Sequence, residues 1–355
     1  MTMVTSIAAP AFADAYGIAL YGTHYLDQGN ITVEVRGGQY YVNDVLDDDG
    51  PVIIKNHEDE SDTTSVSNTI TIHAEDGEAN VTLKDVDIVT NGEANKSGIT
   101  VKADKTKTAT ATVNVTLDNV TVDAREDTSS EGATGGAGMT IQGNGVVNIE
   151  LDGKNELLAG DGHAGLEKNR TESVGSLNIN DSNEDGGSLT AIGGDGGAGI
   201  GGGKGDMGSG LYILNGTVNA YGKGGGAGIG GGDGAGAHMV GLNAGVPGVN
   251  DAYEPTVTAV GSEGAAGIGG GKGGRLTDAV LSSGTLTGTM EMLEYLQAHG
   301  AQTIVFTTSQ RTSSFQISDL LALADEGDVF YLTHTEANEP TLLVVTSDHT
   351  DLLEG

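Results

Sequence analysis

The 355-residue chain contains no cysteine and no tryptophan, five prolines and four phenylalanines. Without cysteine there are no disulfides and no thiolate metal sites. Aromatics are only 4% of residues, too few for an ordinary globular core of this length, where large rings supply much of the buried area. Basic residues are scarce as well: 16 Lys and Arg stand against 50 Asp and Glu, a formal net charge of −34. Binding to phosphate needs clustered Lys and Arg, so the balance argues against nucleic acid and against anionic membranes as partners. Such a surface stays soluble and draws cations, Ca²⁺ included. No apolar run approaches the roughly 20 residues of a membrane span, so membrane insertion is not expected.

Glycine is abundant, 60 residues in all. One phrase returns almost unchanged: Ala198-Gly199-Ile200-Gly201-Gly202-Gly203, then Ala227 to Gly232, then Ala266 to Gly271. Weaker forms stand upstream at Ala137-Gly138-Met139 and Ala164-Gly165-Leu166. From Ala137 the spacings run 27, 34, 29 and 39 residues. Self-similarity at tens of residues marks a repeat protein, in which each unit buries its apolar face against its neighbours. Uneven spacing is expected where constant strands are joined by loops of variable length. Gly193, Gly196, Gly199, Gly202, Gly205 and Gly208 also fall every third residue, and the register recurs around the other two phrases. A three-residue period matches polyproline II. The segment is therefore expected to be extended or turning, closely packed, and partly at positive φ.

Between the phrases the chain alternates apolar and polar residues with period two, as strands do. Thr69 to Ile72, Val81 to Leu83, Ile99 to Val101 and Val113 to Leu117 show this. Several runs read strand, polar pair, strand: Leu83 to Ile88, Leu117 to Val122, Leu214 to Val218 and Leu281 to Leu286. The polar pair is expected to bend the backbone between two faces of one unit. Residues 290–355 differ. Met290 to His299 has helical spacing ending at Gly300, Ser318 suits the cap of a second short helix, and strands are expected at 303–306, 329–332 and 342–345. The organisation expected is a signal-peptide remnant over 1–13, N-terminal strands and a cap over 14–68, glycine-rich repeats over 69–289, and a small α+β module over 290–355. The remnant is read from the apolar run Val4 to Ala11 and from Ala11-Phe12-Ala13, which fits a small-x-small cleavage site, although no Lys or Arg precedes it.

The repeat of strand, turn, Leu-Thr-Ala or Val-Asn-Ala, then Gly-Gly-x-Gly-Gly-Ala-Gly-Ile-Gly-Gly-Gly resembles exported glycine-rich repeat proteins of Gram-positive bacteria over roughly residues 69–290. That resemblance implies a mainly β fold, a right-handed parallel β-helix or solenoid with the α+β module or cap at its C-terminal side. It also implies an extracellular or cell-surface location and carbohydrate-binding or adhesive function. The expected partner is a polysaccharide or cell-surface glycan, and the chain is expected to be monomeric. No set of functional residues transfers with it.

Candidate chemistry is sparse. Asp181-Ser182-Asn183-Glu184-Asp185-Gly186 opens like a calcium loop, with oxygen ligands at positions 1, 3 and 5 and glycine at 6. Asp181, Asn183 and Asp185 are thus the candidate Ca²⁺ ligands. Position 12 is Ile192, where a bidentate acid belongs, so a polar loop between strands is the plainer expectation. The glycine-Asp calcium repeat of secreted toxins does not fit, because Asp206 falls one residue early. Tyr212 and Tyr221 flank the Leu214-Asn215-Gly216 turn and are the candidate ligand contacts. Tyr16, Tyr21, Tyr25, Tyr40 and Tyr41 are expected to belong to a terminal cap, since the first unit of a stack must be covered. Thr106, Thr108, Thr110 and Thr112 alternate and would share one strand face. A polysaccharide lyase or hydrolase is the alternative function, but no general acid or base stands out. A structural stalk is the third reading.

Overall fold

The computed structural model describes residues 22–355 except 49, 107–108, 126–133, 184, 243–254, 275, 278–279, 282–283, 290–296, 298–302, 308–311, 317, 319–320, 322–328, 335–340, 346–349 and 355. The expected signal-peptide remnant, Tyr16, Tyr21 and most of the two helices expected after residue 289 lie outside the described residues.

The chain is mainly β, and most of its strands belong to three parallel sheets. The first sheet runs through Val52–Lys55, Glu78–Lys84, Thr112–Asp118, Val146–Asp152, Ser176–Asn180, Gly208–Ile213 and Ala237–Leu242. The second runs through Ile31–Arg36, Ile70–Ala74, Ile99–Ala103, Met139–Gln142, Leu166–Glu167, Ile200–Gly201, Ile229–Gly230 and Ile268–Gly269. The third runs through Asp87–Val89, Thr121–Ala124, Lys154–Ala159, Ser188–Asp195, Thr217–Lys223 and Thr256–Val260. From Ile70 to Ile268 the chain visits second, first and third sheet in fixed order. Each strand pairs in parallel with its counterpart one unit later.

Register follows the glycine phrase. Met139 pairs with Leu166, Leu166 with Ile200, Ile200 with Ile229 and Ile229 with Ile268. These offsets are the spacings of the phrase in the sequence. Ile99 continues the ladder upstream, so Ser97-Gly98-Ile99 is an earlier member of the phrase. Apolar residues from all three sheets form one common core, among them Ile99, Met139, Leu166, Ile200, Val115, Ile149, Val122 and Leu157. Each fully buried Ile or Leu contributes about 2–3 kcal/mol of transfer free energy, which is how a chain poor in aromatics holds together.

Small residues set the corners. Between first and third sheet a single left-handed residue turns the chain: Asp85 (φ 52°), Asn119 (φ 57°), then Gly153 and Gly216. Asn and Asp tolerate this conformation because their short side chains bond locally. Asn119 Nδ2 donates to Asp85 Oδ1 at 3.2 Å, linking one corner to the next. The polar pairs of Leu83 to Ile88, Leu117 to Val122 and Leu214 to Val218 are these corners; Ser282 and Ser283 lie outside the described residues. Between third and second sheet the glycine phrase supplies the turn. Gly196, Gly225 and Gly264 lie there at φ 84–92°, and Gly205, Gly234 and Gly273, at 76–81°, turn the chain between second and first sheet. Two members of each three-residue register are therefore left-handed turn residues, which polyproline II does not contain.

Buried polar positions are satisfied by specific bonds. Asn155 points into the core, donates to the carbonyls of Leu117, Asp152 and Ser188, and accepts from the Val120 N–H. At the N-terminal side, residues 31–36, 39–42 and 45–47 form an antiparallel meander on the edge of the second sheet. Tyr40 in this meander accepts a bond from the Asn80 N–H, and Tyr41 lies under the Arg36 guanidinium at 4.1 Å. Tyr25 ends the first strand of the first sheet, Gly22–Tyr25. The threonine row is not a row. Thr106 and Ala109 close a tight turn with Thr106 N donating to Ala109 O, and Lys105 bridges Thr110 in antiparallel sense. The chain reverses there, and Thr108 lies outside the described residues. After residue 283 come a four-stranded antiparallel sheet of 284–289, 329–334, 341–345 and 350–354, and a hairpin of 303–307 with 312–316. The expected strands at 303–306, 329–332 and 342–345 fall within these. Among the described residues no helix is long and apolar enough to cross a membrane.

Candidate functional site

The outer face of the third sheet carries a stripe that the register assembles. Leu158 pairs with Ile192, Ile192 with Tyr221 and Tyr221 with Val260, all on the side of the strands turned away from the core. Leu158 is 8% exposed yet stands outside the core cluster, and Ile192, Tyr221 and Val260 are half-buried. Beside the stripe runs a polar row of Glu156, Thr190, Asn219 and Thr258, again in register. Apolar and hydroxyl or amide rows lie side by side, so the face offers van der Waals contact next to hydrogen-bond donors and acceptors.

Where these strands end, the stripe meets an open hollow of about 220 Å³ lined by Arg125, Ala159, Gly160, Asp161, Gly194, Asp195 and Lys223. Lys223, two residues beyond Tyr221, pairs with Asp195 after a register shift between Ile192 and Asp195. Asp161 Oδ1 accepts from the Asp195 N–H at 3.1 Å. Arg125 is clamped by its own neighbour: Nε and Nη2 donate to the two oxygens of Asp123 at 2.9 and 2.6 Å. That bond holds the Asp123 carboxyl below its ordinary range, against the opposing effect of burial. Lys204 Nζ stands 3.9 Å from Asp195 Oδ2, a loose pair. A hollow of this size is smaller than the 300–1,000 Å³ of pockets that enclose drug-sized ligands.

The floor of the hollow is fixed from below. Gly162 N donates to Asp195 O and Gly194 N to His163 O, which tie two successive loops. His163 Nδ1 lies 3.1 Å from the buried Glu167 carboxylate and Nε2 lies 3.1 Å from Asn95 Oδ1, two units upstream. The bond to Glu167 raises the imidazole pKa above its ordinary value, against the desolvation that lowers it. Glu167 also accepts from the Ala164 N–H and from Asn169 Nδ2. Next to it Lys168 turns inward, two residues past Leu166 as Ile141 is two past Met139. It is fully buried, and its ammonium donates to the carbonyls of Ser209 and Ser173 at 2.6 and 3.3 Å. Burial lowers its pKa to about 8.

Of the residues expected from sequence, Tyr221 lies on this surface and Tyr212 does not. Tyr212 stands on the outer face of the first sheet, paired with Asn178. There it follows a ladder in which Asn114, Asn148 and Asn178 each donate to the asparagine one unit before, at 2.7–2.8 Å. Burial pushes the Tyr212 phenol pKa up. The two tyrosines thus occupy different sheets. The Asp181 loop folds around an acceptor. Glu150 Oε1 takes the Ser182 N–H at 2.5 Å, the Ser182 hydroxyl at 2.8 Å and the Asn183 N–H at 3.3 Å. Asn183 Nδ2 donates to Asp152, and Asp185 N donates to Asn183. Burial raises the pKa of Glu150 and of Asp152, the latter helped by Asp185, Asp118 and Asp181. Among the described residues no three His, Asp or Glu side chains gather as a metal-holding group; Glu184 lies outside them. The chain matches no family model, no curated protein and no solved structure.

Proposed function

We propose that the chain is an exported or cell-surface carbohydrate-binding protein built as a right-handed parallel β-helix, in keeping with the glycine-rich repeat proteins it resembles. The cyclic order of the three sheets and their single core support the β-helix. One observation carries the function: the stripe of Leu158, Ile192, Tyr221 and Val260 leads directly into the hollow at Asp161, Asp195 and Lys223. Apolar side chains and a tyrosine face take the flat side of a sugar, and the charged groups take its hydroxyls. The role is binding rather than catalysis. Retention on a polysaccharide array tests it. The wild type is expected to bind at least one polymer, Tyr221→Ala to bind it about tenfold more weakly, a loss of ~1.4 kcal/mol, and Tyr212→Ala to bind unchanged. Absence of retention on every plant, host and microbial polysaccharide would leave the stalk reading in its place.

A further inference from the structure

The charge census of the hollow goes further than its shape. Among the described residues that line it, Arg125 and Lys223 stand against Asp161 and Asp195. Two cations meet two carboxylates there, a local balance in a chain of formal charge −34. Arg125 is held by Asp123, and Lys204 reaches Asp195 only at 3.9 Å. Lys223 makes no ion pair among the described residues and is exposed. A carboxylate acceptor at Asp161 and an ammonium donor at Lys223 therefore both line the hollow, and Lys223 lies two residues beyond Tyr221 on the same strand.

We infer that the ligand of this hollow is an uncharged sugar bearing vicinal hydroxyls, within a neutral polysaccharide. This rests on the glycan-binding reading above. A hydroxyl donates one hydrogen bond and accepts two, so a neighbouring pair donates to Asp161 while accepting from Lys223. Bonds to ionised partners are the stronger kind. A uronate brings a third carboxylate beside Asp161 and Asp195, and the acidic surface repels its polymer at long range. An amino sugar brings an ammonium beside Lys223 and Arg125. Each adds an uncompensated like charge to a balanced set, and like charges facing each other oppose binding. The neutral ring adds none, and its apolar face remains free for Tyr221 and Ile192.

Affinity gel electrophoresis with galactan, polygalacturonate and chitosan separates these cases. The expected result is retardation by galactan at least about tenfold stronger than by polygalacturonate, with chitosan retardation abolished by salt and indifferent to Tyr221→Ala. Asp161→Asn and Lys223→Met are each expected to weaken galactan binding about fivefold, with melting temperatures confirming that both variants fold. Two results would overturn the inference while leaving glycan binding intact. One is preferential, Tyr221-dependent binding of polygalacturonate or chitosan. The other is galactan binding that both substitutions leave unchanged. Retardation by none of the three polymers, nor by a neutral glucan or mannan, would overturn the inference together with the reading beneath it.

Discussion

Gly228→Val is expected to destabilise the protein by about 3 kcal/mol or more, a large fraction of the roughly 5–15 kcal/mol that holds a domain of ordinary stability. A Cβ at Gly228 would lie 2.5 Å from the Val260 nitrogen, 2.6 Å from the Gly267 carbonyl oxygen and 2.8 Å from the Ala259 carbonyl carbon. All three are backbone atoms, held by the third sheet and by the next glycine phrase, so no side chain can swing aside. The same crowding recurs one and two units before, where Gly199 faces Ala220 and Tyr221, and Gly165 faces Ala191 and Ile192. Thermal and urea unfolding measure it. A comparison with Gly205→Ala separates this effect from backbone strain. Gly205 has open space around its missing Cβ but a φ of 81°, and is expected to lose only about 1 kcal/mol. Equal losses at the two positions would contradict the close approach of second and third sheet.

The second large effect is a pH dependence that belongs to Lys168. Its folded pKa of about 8 lies below the ordinary 10.5. Between these values the unfolded chain holds a proton that the folded chain has shed, so stability rises with pH across that window. Below about pH 8 the buried ammonium exerts its full destabilisation, and above about pH 10.5 none remains. The difference is about 3 kcal/mol for a fully buried group. Lys168→Met keeps the length of the side chain and removes the titration. Relative to this variant, the wild type is expected to gain about 3 kcal/mol between pH 7.5 and 10.5. The comparison cancels the tyrosines, of which Tyr40 and Tyr212 are pushed up by burial. Parallel stability curves for the two proteins would show that the Lys168 amine is not desolvated.

Much of the architecture is written in the spacing of the glycine phrase. Offsets of 27, 34, 29 and 39 residues are the pairing register of the second sheet, because strands at fixed places in each unit must stack. The same offsets of 34, 29 and 39 link Leu158, Ile192, Tyr221 and Val260. The stripe could therefore have been found from sequence by carrying the phrase spacing to Tyr221. Two features resist such a reading. Glu167-Lys168-Asn169 looks like a solvated charged turn, and only its place opposite Ile141 in the core column shows that Lys168 turns inward. The threonines at 106–112 keep the two-residue alternation of a strand, but the Thr106 hydroxyl bonds the Ala109 backbone and the chain turns. Alternation reports a strand only where no local side-chain bond competes with the ladder. The hollow was hidden for another reason: Arg125, Asp161, Asp195 and Lys223 come from four segments that meet only once four units are stacked.

Backbone amide chemical-shift mapping during titration with a neutral galactan tests the central claim most directly. Shifts are predicted at 156–161, 188–195 and 217–223, on the outer face and at the end of the third sheet. They are predicted to be absent from 112–118 and 146–152 in the first sheet. Shifts confined to the first sheet, or an unchanged spectrum at saturating polymer, would contradict the account.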